Sequence, residues 1–290
     1  MELRQIKYFL KAKELLNFTA AAESLYISQS TLSQQIKQLE IELGIPLFDR
    51  IGKRIVLTEA GEAFSYYAKK SLDKSNEAFL AIQDLKSLKS GELRIGVSYG
   101  LRLTLVTALK DFTQKFASIQ IKITFNTTQN LIHLLDESKL DFILSFKDDV
   151  NAPNLSYIKL FSSKMCFVTS KQNDLKINDI NLKDIVNYRL IMPSNEYSTT
   201  HFIIERFKKE NIKSLFSIEI NDIPTLLEMV KTGDWSTILA ETTVSNENDL
   251  QSIPIKGDKM IREAGIIYQK DAYKTIAMQK FFEILNKHIN

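Results

Sequence analysis

Residues 17–58 constrain this chain more than any other stretch, because they place two short helices around a tight turn and follow them with a basic strand pair. Apolar residues at helical spacing predict a first helix over residues 3–15 and a second over residues 20–25. Thr19 is the expected N-cap of the second helix, and residues 26 and 27 form the expected turn. Helices this close in the sequence must pack against each other.

A third helix is predicted to begin after its expected N-cap, Ser28, and to end at Gly44 and Pro46. At about 100° per residue, its apolar residues fall on one stripe that must face the core of the domain. This stripe consists of Leu32, Ile36, Leu39 and Leu43. The opposite face consists of Ser30, Ser33, Gln34 and Lys37.

The polar face of the third helix has the chemistry that a phosphate-lined groove accepts. No acidic residue lies between Glu23 and Glu40, and Gln, Ser and Lys side chains are able to bond base edges or phosphates. A solvated polar face is the alternative, but the Ala-rich helix before it and the basic strands after it favour DNA. The DNA contacts predicted here are Thr19, Ser28, Gln29, Ser30, Thr31, Ser33, Gln34 and Lys37.

The basic strand pair is predicted around a turn at Gly52, after a hydrophobic plug at Leu47 and Phe48. Asp49 is interpreted as an ion-pair partner of a neighbouring arginine. The layout is typical of a winged helix-turn-helix, in which one helix enters the major groove and the wing reaches phosphates or the minor groove. The predicted wing contacts are Arg50, Lys53 and Arg54.

A long helix is predicted over residues 59–88, with Thr58 as its N-cap. Apolar and small residues recur along it at spacings of three and four, the pattern of a helix that pairs with another helix. Packing within its own domain is the alternative, although so long a lone helix lacks a partner there. The seam comprises Phe64, Ala68, Ser71, Ser75, Ala78, Ile82 and Leu85.

The character of the sequence changes after a linker exit at residues 87–91, since strands then alternate with helices. This alternation predicts a mainly parallel sheet in two α/β units. The predicted strands cover residues 92–97, 119–125, 140–145, 156–170, 188–193, 238–239 and 264–268. The predicted helices cover residues 101–116, 128–136, 199–209, 224–231 and 272–288.

A ligand of such a sheet is expected beyond the carboxyl ends of the strands, where helix N-termini offer free N–H groups. Hydroxyl groups at these positions suit a small anion or carboxylate, and His201 is expected to add positive charge. Ordinary helix capping is the alternative for each Ser and Thr. The predicted effector contacts are Ser98, Tyr99, Gly100, Thr127, Thr128, Phe146, Ser194, Ser198, Thr199 and His201.

Composition excludes several other classes of protein. The sequence is 44% hydrophobic and 25% charged, as in ordinary globular proteins, and its single cysteine, Cys166, is expected in the core rather than in a disulfide or redox switch. The N-terminus lacks signal-peptide character, and no apolar run is long enough to span a membrane. No catalytic, nucleotide-binding or metal motif stands out. We therefore expect a cytoplasmic protein without enzymatic activity, cofactor or metal.

Residues 9–61 resemble, in one register, the DNA-binding domain of the LysR-type transcriptional regulators. Ser30 stands where that family often has proline, a variant that leaves the start of the helix intact. The matching residues here are Phe9, Phe18-Thr19, Ala21-Ala22, Ser28-Gln29, Ser33, Leu39-Glu40, Leu43-Gly44, Leu47-Phe48-Asp49-Arg50 and Leu57-Thr58-Glu59-Ala60-Gly61.

The resemblance implies an α/β multidomain chain in which the last domain holds two α/β subdomains, as periplasmic binding proteins do. It implies a regulator that binds double-stranded promoter DNA, a small-molecule effector and further copies of itself, as a homodimer and a homotetramer, with RNA polymerase as a further partner. The implied segments are a winged helix-turn-helix at 1–58, a dimerising linker helix at 59–90 and an effector domain at 91–290, with subdomain I at 91–161 and 267–290 and subdomain II at 162–266.

The second half of the chain is less similar to the family than the first. The segments at residues 91–96, 140–143 and 230–239 hold family positions. However, Gly233-Asp234-Trp235 replaces the usual Gly-Leu-Gly, and Asn173-Asp174-Leu175 replaces the usual His-Pro-Leu. The identity of an effector therefore does not carry over from better-known members.

Two other classes of function compete with a regulator. Residues 91–290 alone are compatible with a solute-binding protein, but the sequence at residues 1–58 argues against that class. An architectural DNA-binding protein without an effector is the second competitor. A ligand that binds the folded effector domain distinguishes a regulator from it, because such a ligand raises the melting temperature.

Overall fold

The computed structural model describes residues 1–51, 54–84, 91–147, 153–213, 216–257 and 259–288. It divides into two compact units, Met1–Leu85 and Lys86–Asn290. The first unit contains α1 (Leu3–Leu15), α2 (Phe18–Ser24), α3 (Gln29–Leu43), β1 (Phe48–Ile51), β2 (Arg54–Leu57) and α4 (Glu59–Asp84). The three predicted helices and the two-stranded wing are thus confirmed.

The N-cap of α3 is the residue that the sequence predicts, whereas the N-cap of α2 is a different residue. The Ser28 hydroxyl accepts a hydrogen bond from the Thr31 amide at 3.1 Å, as expected of an N-cap. The predicted cap Thr19 is wrong, because the side chain of the extended residue Asn17 accepts from the amides of Thr19 and Ala20 at 2.9 and 3.1 Å. Thr19 consequently lies in the first turn of α2, exposed to solvent.

The core of the first unit lies between α1, α2, α3 and the start of α4. Leu32, Ile36 and Leu39 are buried as the helical stripe predicted, but Leu43 is 38% exposed because α3 ends there. The hydrophobic plug is confirmed, since Leu47 is buried and the ring of Phe48 packs 5.3 Å from that of Phe9. The buried stripe therefore orients the polar face of α3 outward.

The helix α4 divides into a packed half and an exposed half. Contrary to the expectation that it lacks a partner in its own domain, Ala68 is buried in this core and the ring of Phe64 lies 5.0 Å from that of Phe9 on α1. Further along, Phe79 and Ile82 are exposed. Leu85 and the linker exit up to residue 90 lie outside the described residues.

The second unit follows the predicted order of elements, with additions. Strand β8, helix α9 and strand β10 were absent from the sequence prediction. The elements are β3 (Gly91–Val97), α5 (Arg102–Lys115), β4 (Ile119–Phe125), α6 (Thr128–Asp136), β5 (Phe142–Phe146), β6 (Leu155–Ser170), β7 (Leu190–Pro193), α7 (Ser198–Lys209), β8 (Phe216–Ile220), α8 (Ile223–Lys231), β9 (Thr237–Ala240), α9 (Glu241–Val244), β10 (Leu250–Pro254), β11 (Ile261–Gln269) and α10 (Ile276–Lys287).

Two lobes share the long strands β6 and β11, which we call the crossing strands. The order of the main sheet is β10-β6-β11-β5-β3-β4, with β9 also pairing with β6. The first lobe holds β3, β4, β5, α5, α6 and α10, and the second holds β7 to β10 and α7 to α9. Strand β6 pairs with β11 up to Lys164 and with β9 from Met165 onward, so it passes from one lobe into the other.

The prediction of a mainly parallel sheet is wrong. Strand β3 pairs parallel with β4 and β5, and β7 pairs parallel with β8. Every described pairing made by the crossing strands is antiparallel. These strands return the chain between the lobes without an intervening helix, so the regular strand-helix alternation that gives parallel pairing breaks down there.

Gly61 offers a test of packing in the first unit. A Cβ atom there would lie 2.2 Å from the Leu47 carbonyl oxygen and 2.6 Å from a Leu57 methyl carbon. Alanine would raise helix propensity by about 1 kcal/mol. We nevertheless expect Gly61→Ala to lower the free energy of unfolding by about 1–3 kcal/mol, since overpacking against backbone outweighs propensity.

Calorimetric or chemical unfolding of the full chain measures this change. Gly91→Ala is the matched control, because its Cβ would meet only the side-chain carbon of Ile119 at 3.6 Å. Unchanged or increased stability of Gly61→Ala would contradict the proposed close approach.

Candidate DNA interface and effector pocket

The outward face of α3 presents the side chains that the sequence predicts for DNA contact. Ser30, Gln34 and Lys37 are exposed, and Ser33 is half-buried beside them. The start of the helix adds the exposed Gln29 and a cluster of hydroxyls, in which the Ser28 oxygen lies 2.9 Å from that of Ser30 and 2.7 Å from that of Thr31. The face therefore combines amides, hydroxyls and one ammonium without a carboxylate.

Glu40, the first acidic residue after Glu23, stabilises the loop before the wing, a role that the sequence did not predict. Its carboxylate accepts hydrogen bonds from the amides of Leu47 and Phe48 at 2.8 and 3.1 Å. These bonds tie α3 to the loop that leads into the wing. The available signal was a carboxylate in the last turn of the predicted helix, before a loop that contains a proline.

The wing has the expected antiparallel register, with Asp49 opposite Val56 and Arg50 opposite Ile55. The backbone of Arg50 and Arg54 lies in β1 and β2, whereas their side chains and all of Lys53 fall outside the described part of the chain. Their contacts with DNA stay predictions.

In the second unit, a small cavity of about 30 Å³ lies between the two lobes at the carboxyl ends of β3, β4 and β5. The starts of α6, α7 and α8 also reach it, so helix N-termini point at the same space. Eight predicted effector contacts line it, namely Ser98, Tyr99, Gly100, Thr127, Thr128, Phe146, Ser198 and Thr199. The other lining residues, which sequence reasoning missed, are Asn126, Tyr197, Ile223, Leu239 and Thr243.

Ser194 and His201 are not brought to the cavity. Ser194 follows the end of β7, and its amide donates to the Ile220 carbonyl at 2.9 Å. His201 lies one turn into α7 with its side chain exposed to solvent. The positive charge expected from His201 is therefore absent from the cavity wall.

The hydroxyl groups of the first lobe differ in their bonding. The Thr128 oxygen lies 2.7 Å from that of Ser145, and the Thr127 oxygen accepts from the Asn130 amide at 3.5 Å as the cap of α6. The Ser98 oxygen is buried and has no hydrogen-bond partner among the described residues. A buried hydroxyl without a hydrogen-bond partner lowers the stability of the folded protein. Of these three hydroxyls, that of Ser98 is therefore the strongest candidate for a contact with a ligand.

Arg262, which sequence reasoning missed, supplies the positive charge behind the cavity. Its side chain is 1% exposed, and its two Nη atoms donate to the hydroxyl oxygens of Thr199 and Ser198 at 2.6 and 2.7 Å. Its guanidinium lies 4.2 Å from the centre of the Phe146 ring, within reach of a cation–π contact. Burial lowers the pKa of this guanidinium to about 9, because desolvation disfavours the charged form.

Gly100 allows the closest approach within this wall. A Cβ atom there would lie 2.7 Å from the Phe146 ring and 3.1 Å from the Thr243 hydroxyl. Next to it, burial raises the pKa of Tyr99, and the guanidinium of Arg102 lies 5.4 Å from its ring centre. The cavity is thus narrow and bounded by both polar and aromatic groups.

The described residues do not favour a reactive thiol, a metal site or a membrane-spanning helix. Cys166 is buried in β6, as predicted for a core residue, and burial raises the pKa of its thiol to about 12. No group of three His, Cys, Asp or Glu side chains suited to a metal converges in the part of the chain that the structure describes. Within that same part, no helix is both long and apolar enough to cross a membrane.

Comparisons with known proteins agree with both units. Residues 3–62 match the model of the bacterial regulatory helix-turn-helix protein, lysR family, and residues 86–290 match that of the LysR substrate binding domain. The Bacillus subtilis regulator BsdA is 26% identical over 98% of this chain and all of its own length. The transcriptional activator CmpR from Synechocystis is 28% identical over 99% of this chain and 95% of its own.

Solved structures have the same fold. A full-length OxyR variant from Pseudomonas aeruginosa has a TM-score of 0.74 at 20% identity, covering all of this chain and 94% of its own. Full-length CbnR in complex with its target DNA has a TM-score of 0.66 at 22% identity, covering 99% of each chain.

The chain belongs to the LysR family of bacterial transcriptional regulators. It is a DNA-binding regulator whose winged helix-turn-helix precedes a two-subdomain α/β effector-binding domain.

Proposed function

We propose that the face of α3 formed by Ser30, Ser33, Gln34 and Lys37 reads base edges in a DNA major groove. The observation that supports this most directly is that Ser30, Ser33, Gln34 and Lys37 form a face without an acidic side chain. The carboxylate of Glu40, which ends this stretch, is bound to the backbone of the loop before the wing. Hydroxyls at Thr19, Ser28 and Thr31 and the amide of Gln29 lie near the phosphate backbone in this arrangement. Arg50, Lys53 and Arg54 contact phosphates or the minor groove.

The regulator works as a homodimer, and pairs of dimers form a homotetramer. The exposed apolar residues Phe79, Leu80 and Ile82 in the second half of α4 support this assembly, because contact between exposed apolar side chains and water is unfavourable. Two reading heads related by a two-fold axis require a nearly palindromic DNA site. RNA polymerase is a further partner at the promoter.

A small organic or inorganic anion, bound in the cavity between the lobes, controls the assembly. The converging hydroxyls of Ser98, Ser198 and Thr199 support this part of the proposal. Binding favours one relative position of the lobes, and this changes the spacing of the paired reading heads through linkage. The protein acts by binding alone, in the cytoplasm where the promoter is, without cofactor or catalysis.

The division of roles between α3 and the wing predicts different effects of two substitutions. Gln34→Ala is expected to lower affinity for the specific site by about 1–3 kcal/mol and to relax the preference at one base pair. Arg54→Ala is expected to weaken specific and random DNA equally and to reduce the slope of log affinity against log salt by about one. Fluorescence anisotropy with both DNAs over a salt series measures these effects. Equal losses on both DNAs for both variants would contradict the division.

The effector cavity predicts a contrast between two buried serines. Small carboxylates are expected to raise the melting temperature of the full chain, and Ser98→Ala is expected to reduce this shift because a ligand contact is lost. Without ligand, Ser98→Ala should melt at or above the temperature of the wild type, since its hydroxyl has no partner to lose among the described residues.

Ser194→Ala is the matched control. Its hydroxyl is likewise buried without a partner in the described chain, but it does not line the cavity. Differential scanning fluorimetry measures both variants with the same ligands. The same reduction in both variants, or no anion that stabilises the wild type, would contradict the proposed cavity.

A further inference from the structure

The turn that precedes α5 brings the first lobe into contact with the second. The ring of Tyr99 in this turn packs against an apolar cluster of the second lobe that contains Leu226 and Leu239. Arg102, which begins α5, places its guanidinium 5.4 Å from the centre of the Tyr99 ring. The turn therefore holds the side chain of Arg102 at the boundary between the lobes.

Arg102 reaches a carboxylate of the second lobe. Its Nη2 atom lies 3.8 Å from Oε1 of Glu247, in the segment between α9 and β10. Among the ion pairs between residues that the structure describes, this pair alone joins the two lobes. Apart from the crossing strands, the lobes are thus connected by packing around Tyr99 and by this one attraction between opposite charges.

Glu247 is held in place by its own lobe. The Nζ atom of Lys231, at the end of α8, lies 2.9 Å from Glu247 and 2.8 Å from Glu228. One ammonium and two carboxylates give this group a net charge of −1. Arg102 supplies the balancing positive charge from the other lobe. The two lobes are therefore complementary in charge at this point.

The pair between Arg102 and Glu247 is weak enough to open. Its separation of 3.8 Å exceeds that of a hydrogen bond, and the side chain of Arg102 is 35% exposed. The Nε atom of Arg102 is buried without a partner among the described residues, which opposes the closed arrangement. A partly exposed pair of this kind shifts an equilibrium severalfold rather than fixing one state, and salt weakens it.

We propose that Arg102 and Glu247 form an interlobe ion pair that holds the two lobes in one relative position without the help of a ligand. When the pair opens, the lobes separate about the crossing strands, which remain as their covalent connection. The position of the lobes then responds to ionic strength. This inference needs only the two lobes and is independent of what the cavity binds.

Pulsed electron paramagnetic resonance on the full chain measures the distance between the lobes. Spin labels are attached at Gln129→Cys on α6 and Lys208→Cys on α7, two exposed positions on different lobes, while the native Cys166 is buried. Labelled chain is mixed with an excess of unlabelled chain, so that distances within one chain dominate the signal.

Arg102→Met and Glu247→Gln are each expected to raise the ratio of longer to shorter distances about two- to fivefold at low ionic strength. About 1 M salt should produce the same rise in the wild type and none in Arg102→Met, because no pair remains to be screened. The double variant should show no more than either single variant, since both remove one interaction. Arg102→Lys, which keeps the charge, should restore part of the wild-type ratio.

Glu92→Gln is the matched control, because Glu92 pairs with Lys122 on the neighbouring strand of the same lobe. Its distances and salt response should equal those of the wild type.

Unchanged distances in Arg102→Met and Glu247→Gln would overturn the proposal, even if both variants melt at a lower temperature, because the pair would then only stabilise the fold. Additive effects in the double variant, or an equal rise in Glu92→Gln, would overturn it as well. None of these outcomes depends on a ligand, so they are separate from any failure of the proposed effector cavity.

Discussion

The antiparallel pairing of the two crossing strands is the constraint on which the second unit depends. Residues 155–164 of β6 lie beside β11, and the register shifts between Ala264 and Gly265. A Cβ atom at Gly265 would lie 2.3 Å from the Ile158 carbonyl oxygen, so only glycine permits the strands to approach this closely. The lobes are joined through these strands, and Arg262 sits three residues before the shift. The position of the cavity wall thus follows from backbone packing.

An equivalent constraint orders the first unit. Leu32, Ile36 and Leu39 must face the core, and this fixes the outward direction of Ser30, Gln34 and Lys37 on the same helix. Burying three such side chains contributes on the order of 5–9 kcal/mol, far more than any single polar contact on the opposite face. The outward face of α3 is therefore positioned by apolar packing on the opposite side of the helix.

Local signals in the sequence predicted most of this arrangement. Periodicity predicted α1 and α3, and the alternation of strands and helices predicted that Ser98, Thr128 and Ser198 would converge at one end of a sheet. Thr19 failed as a cap because Asn17, two residues earlier, competes for the same amides. Sequence rules do not distinguish well between two neighbouring candidates for an N-cap, since Asn and Thr are both favoured there.

Long-range pairing was harder to predict from the sequence. The antiparallel crossing strands depend on contacts between β6 and β11, about a hundred residues apart, which no local pattern encodes. The burial of Arg262 was not predicted from the sequence for the same reason. The predicted strand began at Ala264, whereas β11 begins at Ile261 and places Arg262 on its buried face. The local sign of this burial was that Arg262 lies two positions before Ala264 and so shares the same face of the strand.

We expect the effector cavity and the outward face of α3 to be energetically coupled, so that a ligand in one changes binding at the other. The most direct measurement is the affinity of the full chain for a carboxylate ligand in the absence and presence of saturating DNA selected from a random pool. Linkage requires that the DNA change ligand affinity by the same factor as the ligand changes DNA affinity, and a coupling of about 1–3 kcal/mol corresponds to roughly 5- to 150-fold. Equal ligand affinity with and without DNA would contradict this coupling.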